Sequence, residues 1–246
     1  MSIYGNYIDE TLKSEYELIN VFKNDEFSKI SLFEHKTSKN KLIKIISKNR
    51  NDHIFRKLRG LKHKNLPVIF DVCSDEDNLL VLESYVEGKS LSEKLKEDTI
   101  KPEKAVKYIL DICYALQFLH SLDIIHRDVK PQNIIIDNDD NAVLIDLQAA
   151  RHISDVQEKD TVNLGTVGYA APEQYGLHQS IPPTDIYAIG VLLNELTVKT
   201  HPTIKTPSGK LGKIIKKCTE TQIYNRYQTV DKLIADLKRY SLFHRK

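Results

Sequence analysis

The sequence predicts an α+β protein made of a small, mostly antiparallel β-sheet with one short helix, followed by a mostly helical part. Two observations predict this division. Up to about residue 86 the apolar residues come in short runs typical of strands, whereas after Gly88 they recur at the three- and four-residue spacing of amphipathic helices. The length of 246 residues, 41% of them apolar, is enough for one large domain or two packed lobes without disulfides or metals.

Five short apolar runs predict the strands of the first part, at 18–22, 30–33, 42–46, 68–72 and 79–82. Between the third and fourth runs, Ile54, Leu58 and Leu61 lie at helical spacing. We therefore expect one short helix over 52–61.

Helical spacing dominates the second part. Pro102 begins the strongest segment, whose apolar face continues to Ser121, and proline is favoured there because the first turn of a helix does not need its N–H. Further helices are predicted over 185–198, 210–218 and 229–240. The runs 134–136 and 143–145 predict a hairpin with a polar turn at 137–141.

Charge, hydropathy and cysteine content indicate which partners and which cellular compartment to expect. The 36 basic and 34 acidic side chains give a formal charge of +2, so nucleic acid is not expected, and the basic stretch 44–64 is better interpreted as a solvated helix face. No apolar run approaches the roughly 20 residues needed to cross a bilayer, and the N-terminus does not resemble a secretion signal. Three cysteines without a CxxC pair are typical of a reducing compartment, which predicts a cytoplasmic protein.

The most informative residues lie between positions 124 and 146. Asp128, Lys130, Asn133 and Asp146 bring two carboxylates, an ammonium and an amide into an otherwise apolar stretch. These groups supply the hard oxygen ligands and the counter-charge that a magnesium-bound nucleotide requires. Neither the histidine spacing nor the acidic turn at 137–141 fits a zinc or calcium site.

The motif His126-Arg-Asp-Val-Lys-Pro-Gln-Asn133 resembles the catalytic loop of the eukaryotic-type protein kinase family. Asp146-Leu-Gln148 stands where that family has Asp-Phe-Gly, and Ala171-Pro-Glu173 matches its Ala-Pro-Glu motif. The resemblance runs over 16–242 and is to small single-domain bacterial members. It implies a bilobal protein kinase-like fold in which 1–246 is a single domain, with 1–85 as a sheet lobe carrying a truncated helix and 86–246 as a helical lobe. It also implies a serine/threonine protein kinase that uses ATP and Mg²⁺.

The resemblance assigns nucleotide and metal contacts to particular residues. Asn133 and Asp146 would ligate Mg²⁺, and Lys44 would bind the α- and β-phosphates. Adenine would lie between Ile30 and Leu42 above the ring and Ile135 below it. It would form hydrogen bonds with the backbone of the hinge near Ser84 and Val86.

The resemblance also assigns the transfer step. Asp128 would accept the hydrogen bond of the attacking hydroxyl of a protein substrate, and Lys130 would neutralise the γ-phosphate. Thr166 would tie these two side chains together, a combination that resembles serine/threonine rather than tyrosine kinases. Two supporting features of the family match as well. Asp185 stands where the family has a buried aspartate beneath the catalytic loop. Arg226 stands where the family has a late arginine that pairs with the glutamate of the Ala-Pro-Glu motif, which is Glu173 in this sequence.

Two parts of the family pattern are not matched. Lys23, Asp25 and Ser28 stand where three glycines let backbone N–H groups approach phosphates, and a carboxylate there repels them. Ile54 stands where the family has the glutamate that pairs with the lysine, and Asp52 is a weaker alternative partner. These departures keep a second interpretation open, a pseudokinase that acts as a binding or scaffold module without transfer. A small-molecule phosphotransferase of related fold is a third.

Arg127 precedes Asp128, an arrangement found in kinases whose activation loop is ordered by a phosphate. Thr161 is the nearest candidate acceptor, which predicts self-phosphorylation there.

Overall fold

The computed structural model describes residues 3–48, 51–75, 77–97, 100–154, 166–175 and 179–243. The chain divides into two compact units, Met1–Val86 and Glu87–Lys246. Within the described ranges, no helix combines the length and the apolar character needed to cross a bilayer.

The first unit is a five-stranded antiparallel sheet with two helices. Its strands are β1 (Tyr16–Asn24), β2 (Ser28–His35), β3 (Lys41–Ser47), β4 (Ile69–Ser74) and β5 (Leu79–Ser84), in the order β1-β2-β3-β5-β4. All five predicted strands are confirmed. Helix α2 (Asp52–Leu58) confirms the predicted short helix but ends three residues earlier, at Leu58. Helix α1 (Ile3–Glu15) was not predicted, so the expectation of a single helix was wrong.

Strand β3 is the central strand of this sheet, paired with β2 on one side and β5 on the other. Side chains alternate between the two faces of a strand, so Leu42 and Lys44 share one face and Ile43 and Ile45 the other. All four are buried. Helix α1 packs on the face that carries Leu42, in a small cluster with apolar residues from three strands.

The second unit is mostly helical, which confirms the α+β class. Its helices are α3 (Leu91–Glu97), α4 (Pro102–Ser121), α5 (Pro182–Val198), α6 (Gly209–Cys218) and α7 (Val230–Phe243). The predicted starts and ends of α4 are confirmed, with Pro102 in the first turn. Most of one side of α4 is fully buried, because α5 and α7 both pack against it.

Two small sheets accompany these helices. Strands β6 (Gly88–Ser90), β8 (Ile134–Asp137) and β9 (Ala142–Leu144) form one, and β7 (Ile124–Ile125) pairs with β10 (Arg151–His152) in the other. The β8–β9 pair is the predicted hairpin. Because β7 ends just before residue 126 and β8 begins at Ile134, the polar catalytic-loop motif lies between two pieces of buried strand.

Candidate active site

The carboxylate of Asp128 is the centre of a hydrogen-bonded cluster in the second unit. The Asn133 amide nitrogen donates to Asp128 Oδ2 and to the Asp128 carbonyl oxygen, both at 2.9 Å. The Lys130 ammonium lies 2.7 Å from the same Oδ2. The Thr166 hydroxyl donates to Asp128 Oδ1 at 2.9 Å and accepts from Lys130 at 2.9 Å. The structure therefore brings together the three side chains that the resemblance assigned to transfer and Asn133, one of the two predicted metal ligands.

A buried aspartate fixes the backbone of this loop. Asp185 in α5 is 1% exposed and accepts the backbone N–H groups of His126 and Arg127 at 3.0 and 2.8 Å. His120 Nε2 lies 2.8 Å from the same carboxylate. Burial alone raises the pKa of Asp185, but the hydrogen bond from His120, the nearby imidazoles and the Arg127 N–H outweigh it and leave this pKa below its usual value. The loop is thus held from beneath by an ionised carboxylate.

Asp146 follows the hairpin and is placed by the same loop. The backbone N–H of Ile145 donates to the Asn133 carbonyl oxygen at 2.9 Å, which joins the two predicted metal ligands through the main chain. Arg127 and Asp146 both hold a left-handed backbone, with φ of 71° and 67°. Such conformations are costly for residues other than glycine and concentrate at functional sites.

The donor set of this region fits magnesium rather than a metal held only by protein. Because the Asn133 nitrogen faces Asp128, the amide oxygen on the opposite side of the planar group is the atom left for a metal. The described residues contain no group of three or more His, Cys, Asp or Glu side chains placed to hold a metal. One carboxylate and one amide are what Mg²⁺ needs when a nucleotide and water supply its other ligands.

A buried ion pair holds the segment that follows Thr166. Arg226 makes two 2.8 Å bonds to the two carboxylate oxygens of Glu173, and both side chains are at most 3% exposed. Thr184 donates to the same carboxylate at 3.0 Å. Gln174, beside Glu173, donates to the Arg127 carbonyl oxygen at 2.9 Å, so the pair is connected to the catalytic loop.

In the first unit, Lys44 has a partner that the sequence did not reveal. Its ammonium forms an ion pair with Asp9 of α1. Ile54, which stands at the position of the missing glutamate, is fully buried. Asp52, the alternative partner, instead accepts hydrogen bonds from Arg56 and Ser74 at 3.0 and 2.9 Å, which corrects that suggestion. The available signal was the apolar pair Ile8 and Leu12 at helical spacing next to Asp9.

The loop between β1 and β2 also departs from a glycine-rich loop in a specific way. Asp25 Oδ1 accepts the backbone N–H groups of Phe27 and Ser28 at 2.9 and 2.8 Å. These two hydrogen bonds, the one from Ser28 first, lower the pKa of Asp25. The carboxylate therefore binds backbone N–H groups of the kind that glycine-rich loops offer to phosphates.

The structure corrects the predicted adenine contacts. Ile30 is paired with Ile45 and Leu42 with Phe33, and cross-strand partners share a face, so Ile30 and Leu42 lie on opposite faces of the sheet. They cannot both contact one ring. The backbone N–H of Ser84 already donates to the Val68 carbonyl oxygen at 2.9 Å and is not available to a ligand.

Comparison with known proteins decides the family. Residues 24–241 match the protein kinase domain. The chain belongs to the protein kinase family. It is 30% identical over 229 residues to serine/threonine-protein kinase PrkC of Bacillus subtilis, which covers 80% of this chain and 35% of that protein. It is also 30% identical over 202 residues to serine/threonine-protein kinase B of Synechocystis, covering 72% of this chain and 35% of that protein. The chain thus spans about a third of the length of these relatives.

The second unit contains the hydrogen-bonded cluster around Asp128 and the contacts of Asp185 and of Glu173 with Arg226, whereas the first unit departs from the family pattern at Asp25 and Ile54. Ile135 lies half-buried in β8, and Val86 is the last residue of the first unit. Thr161 lies outside the described residues.

Proposed function

We propose that this chain is a serine/threonine protein kinase that transfers the γ-phosphoryl group of ATP to hydroxyl groups of proteins. The observation that carries the proposal is the contact of Asp128, Lys130, Asn133 and Thr166 in one hydrogen-bonded cluster. Phosphoryl transfer requires little covalent chemistry from the protein, so positioned charges of this kind are the main requirement.

Asp128 is the residue that orients the acceptor. Its carboxylate is 15% exposed and is fixed by neighbours on both oxygens, so an incoming hydroxyl meets an oriented acceptor for its hydrogen bond. The hydroxyl oxygen attacks the γ-phosphorus as the bond to the β-phosphate oxygen breaks, and the hydroxyl proton leaves toward Asp128. Lys130 is 21% exposed and is held in position by its hydrogen bond to Thr166. Its positive charge neutralises the negative charge of the γ-phosphate during transfer.

Magnesium and nucleotide complete the proposal. Mg²⁺, held by Asn133 and Asp146, would neutralise phosphate charge during transfer. Lys44, Leu42, Ile135 and Val86 remain the candidates for contacting ATP. We propose that the two units together form one kinase domain and that self-phosphorylation, when it occurs, uses Thr161. A cytoplasmic location is supported by three buried free thiols, which are typical of a reducing compartment.

The proposal is tested by incubating the full chain with Mg²⁺, γ-labelled ATP and a generic basic protein. Transfer of label by the parent and its loss in Asp128→Asn support the proposal. Asp139→Asn is the matched control, because Asp139 is an exposed aspartate in the hairpin turn. We expect Asp128→Asn to lose at least about a hundredfold in rate, the scale of a general-base contribution, and Asp139→Asn to match the parent.

Two results would refute the proposal. One is the absence of label transfer by the parent at millimolar MgATP. The other is transfer that Asp128→Asn does not reduce, because that would place the chemistry elsewhere. If the parent binds MgATP but transfers no label, the chain is a pseudokinase.

A further inference from the structure

Helix α1 covers the face of the sheet that carries Lys44. It contacts β1 and β4, which are the two edge strands, so it crosses the whole face. Ile8 and Leu12 are 6% and 4% exposed and pack in one cluster with Leu42, Cys73 and Leu80. Leu42 is consequently only 7% exposed.

The ion pair between α1 and β3 lies on the same covered face. Asp9 follows Ile8 directly, and its carboxylate pairs with the Lys44 ammonium. The two side chains are 23% and 11% exposed, so water screens the pair less than it screens a surface pair. The lysine that the proposed function assigns to phosphate therefore already has a negatively charged partner from its own chain.

The C-terminal end of α1 is anchored, so the helix is not a loosely attached segment. The Lys36 ammonium donates to the carbonyl oxygens of Lys13 and Ser14 at 3.2 and 2.6 Å. The Lys36 backbone N–H donates to the Glu15 carbonyl oxygen at 2.9 Å. A cation at the C-terminal end of a helix is stabilised there because the last carbonyl groups carry partial negative charge.

A second carboxylate of the first unit lies in the β1–β2 loop and is bound by backbone N–H groups rather than by an ammonium. Asp25 accepts the N–H groups of Phe27 and Ser28 in the loop that the family uses for phosphates. Both phosphate-binding positions of the first unit thus bind a carboxylate of this chain, one at Lys44 and one at the loop.

We propose that α1 is an autoinhibitory helix whose Asp9 occupies the position of a nucleotide phosphate at Lys44 while Ile8 and Leu12 cover Leu42. The inference rests on the proposed function, since it assigns Lys44 and Leu42 to ATP. A nucleotide binds only after α1 leaves this face, so its apparent affinity is reduced by the fraction of molecules in which α1 is bound.

A different role for Asp9 makes the opposite prediction. If Asp9 replaced the missing glutamate and positioned Lys44 for phosphate, removing its charge would weaken nucleotide binding. The packing favours inhibition, because Ile8 and Leu12 occupy the surface of Leu42 that a positioning residue would leave open.

The test measures the dissociation constant of MgATP for the full-length parent, Asp9→Asn and the matched control Glu10→Gln. Glu10 is the next residue of the same helix and is exposed. Asp9→Asn keeps the shape of the side chain and removes the charge that holds α1. We expect it to bind MgATP about fivefold more tightly than the parent, which corresponds to about 1 kcal/mol, and Glu10→Gln to bind like the parent.

Hydrogen exchange of the α1 backbone gives an independent readout. MgATP is expected to speed exchange over residues 3–15 in the parent, because the nucleotide displaces the helix. Weaker binding by Asp9→Asn, or MgATP binding that leaves exchange over 3–15 unchanged, would overturn the inference and leave the kinase proposal intact. Absence of both nucleotide binding and transfer in every variant would instead reject the proposed function, and the inference with it.

Discussion

Replacing Arg226 by methionine removes one partner of the buried pair with Glu173 and leaves a carboxylate without a counter-charge. Both side chains are almost fully buried, at 0% and 3% exposure. Breaking such a pair on one side costs about 3–5 kcal/mol, because the remaining charge has neither water nor a partner. For a chain of this size, 1 kcal/mol lowers Tm by roughly 2–4 °C, so we expect a decrease of roughly 6–20 °C.

The control is Arg239→Met, which removes the same side chain from a surface pair. Arg239 lies 3.0 Å from Asp236 but is 73% exposed, and such pairs contribute about 0–1 kcal/mol. Thermal and urea unfolding of both variants, followed by circular dichroism, measure the difference. The double variant Glu173→Gln, Arg226→Met should recover part of the loss, because no orphan charge remains. Equal stability of Arg226→Met and Arg239→Met would refute the reasoning.

Three further outcomes are expected. Thr166→Ala should lower kcat roughly tenfold or more, since its hydroxyl links Lys130 to Asp128, and Thr166→Ser should restore it in a steady-state assay. Gly190→Ala should destabilise the fold by about 1–3 kcal/mol in urea unfolding, because the new Cβ would lie 2.4 Å from the Cys218 Cβ. The lowered pKa of Asp185 means that its carboxylate stabilises the fold above about pH 4 and that this contribution is lost as the pH falls through the lower, folded value. As the pH falls below about 5, the free energy of unfolding of Asp185→Asn should therefore decrease less steeply than that of the parent. An equal slope in the two proteins would contradict this reasoning.

Much of the fold was predictable because the signals are local. Alternating and three- to four-residue apolar spacing reports which side of a strand or helix is buried, so the five strands and α4 to α7 could be identified from neighbouring residues. The hydrogen-bonded cluster around Asp128 was predictable for a related reason. Asp128, Lys130 and Asn133 lie within six positions of one another, and the tight loop between β7 and β8 leaves them few other arrangements.

The face that each strand residue occupies was not predictable at the same level. A shift of one residue in the pairing of β2 and β3 moves every side chain to the other face. The sequence supported placing Ile30 and Leu42 together, and the observed register separates them.

The amino-acid sequence by itself determined the protein kinase family, the five strands of the first unit, α4 to α7, and which side chains gather around Asp128, because each of these follows from short motifs and local periodicity. Only the tertiary structure decided which groups contact Lys44 and the backbone of the β1–β2 loop. Asp9 and Lys44 are 35 positions apart, and no local pattern relates them. They meet because the apolar side of α1 is buried against the sheet, which brings a carboxylate to a lysine that lacks its usual glutamate.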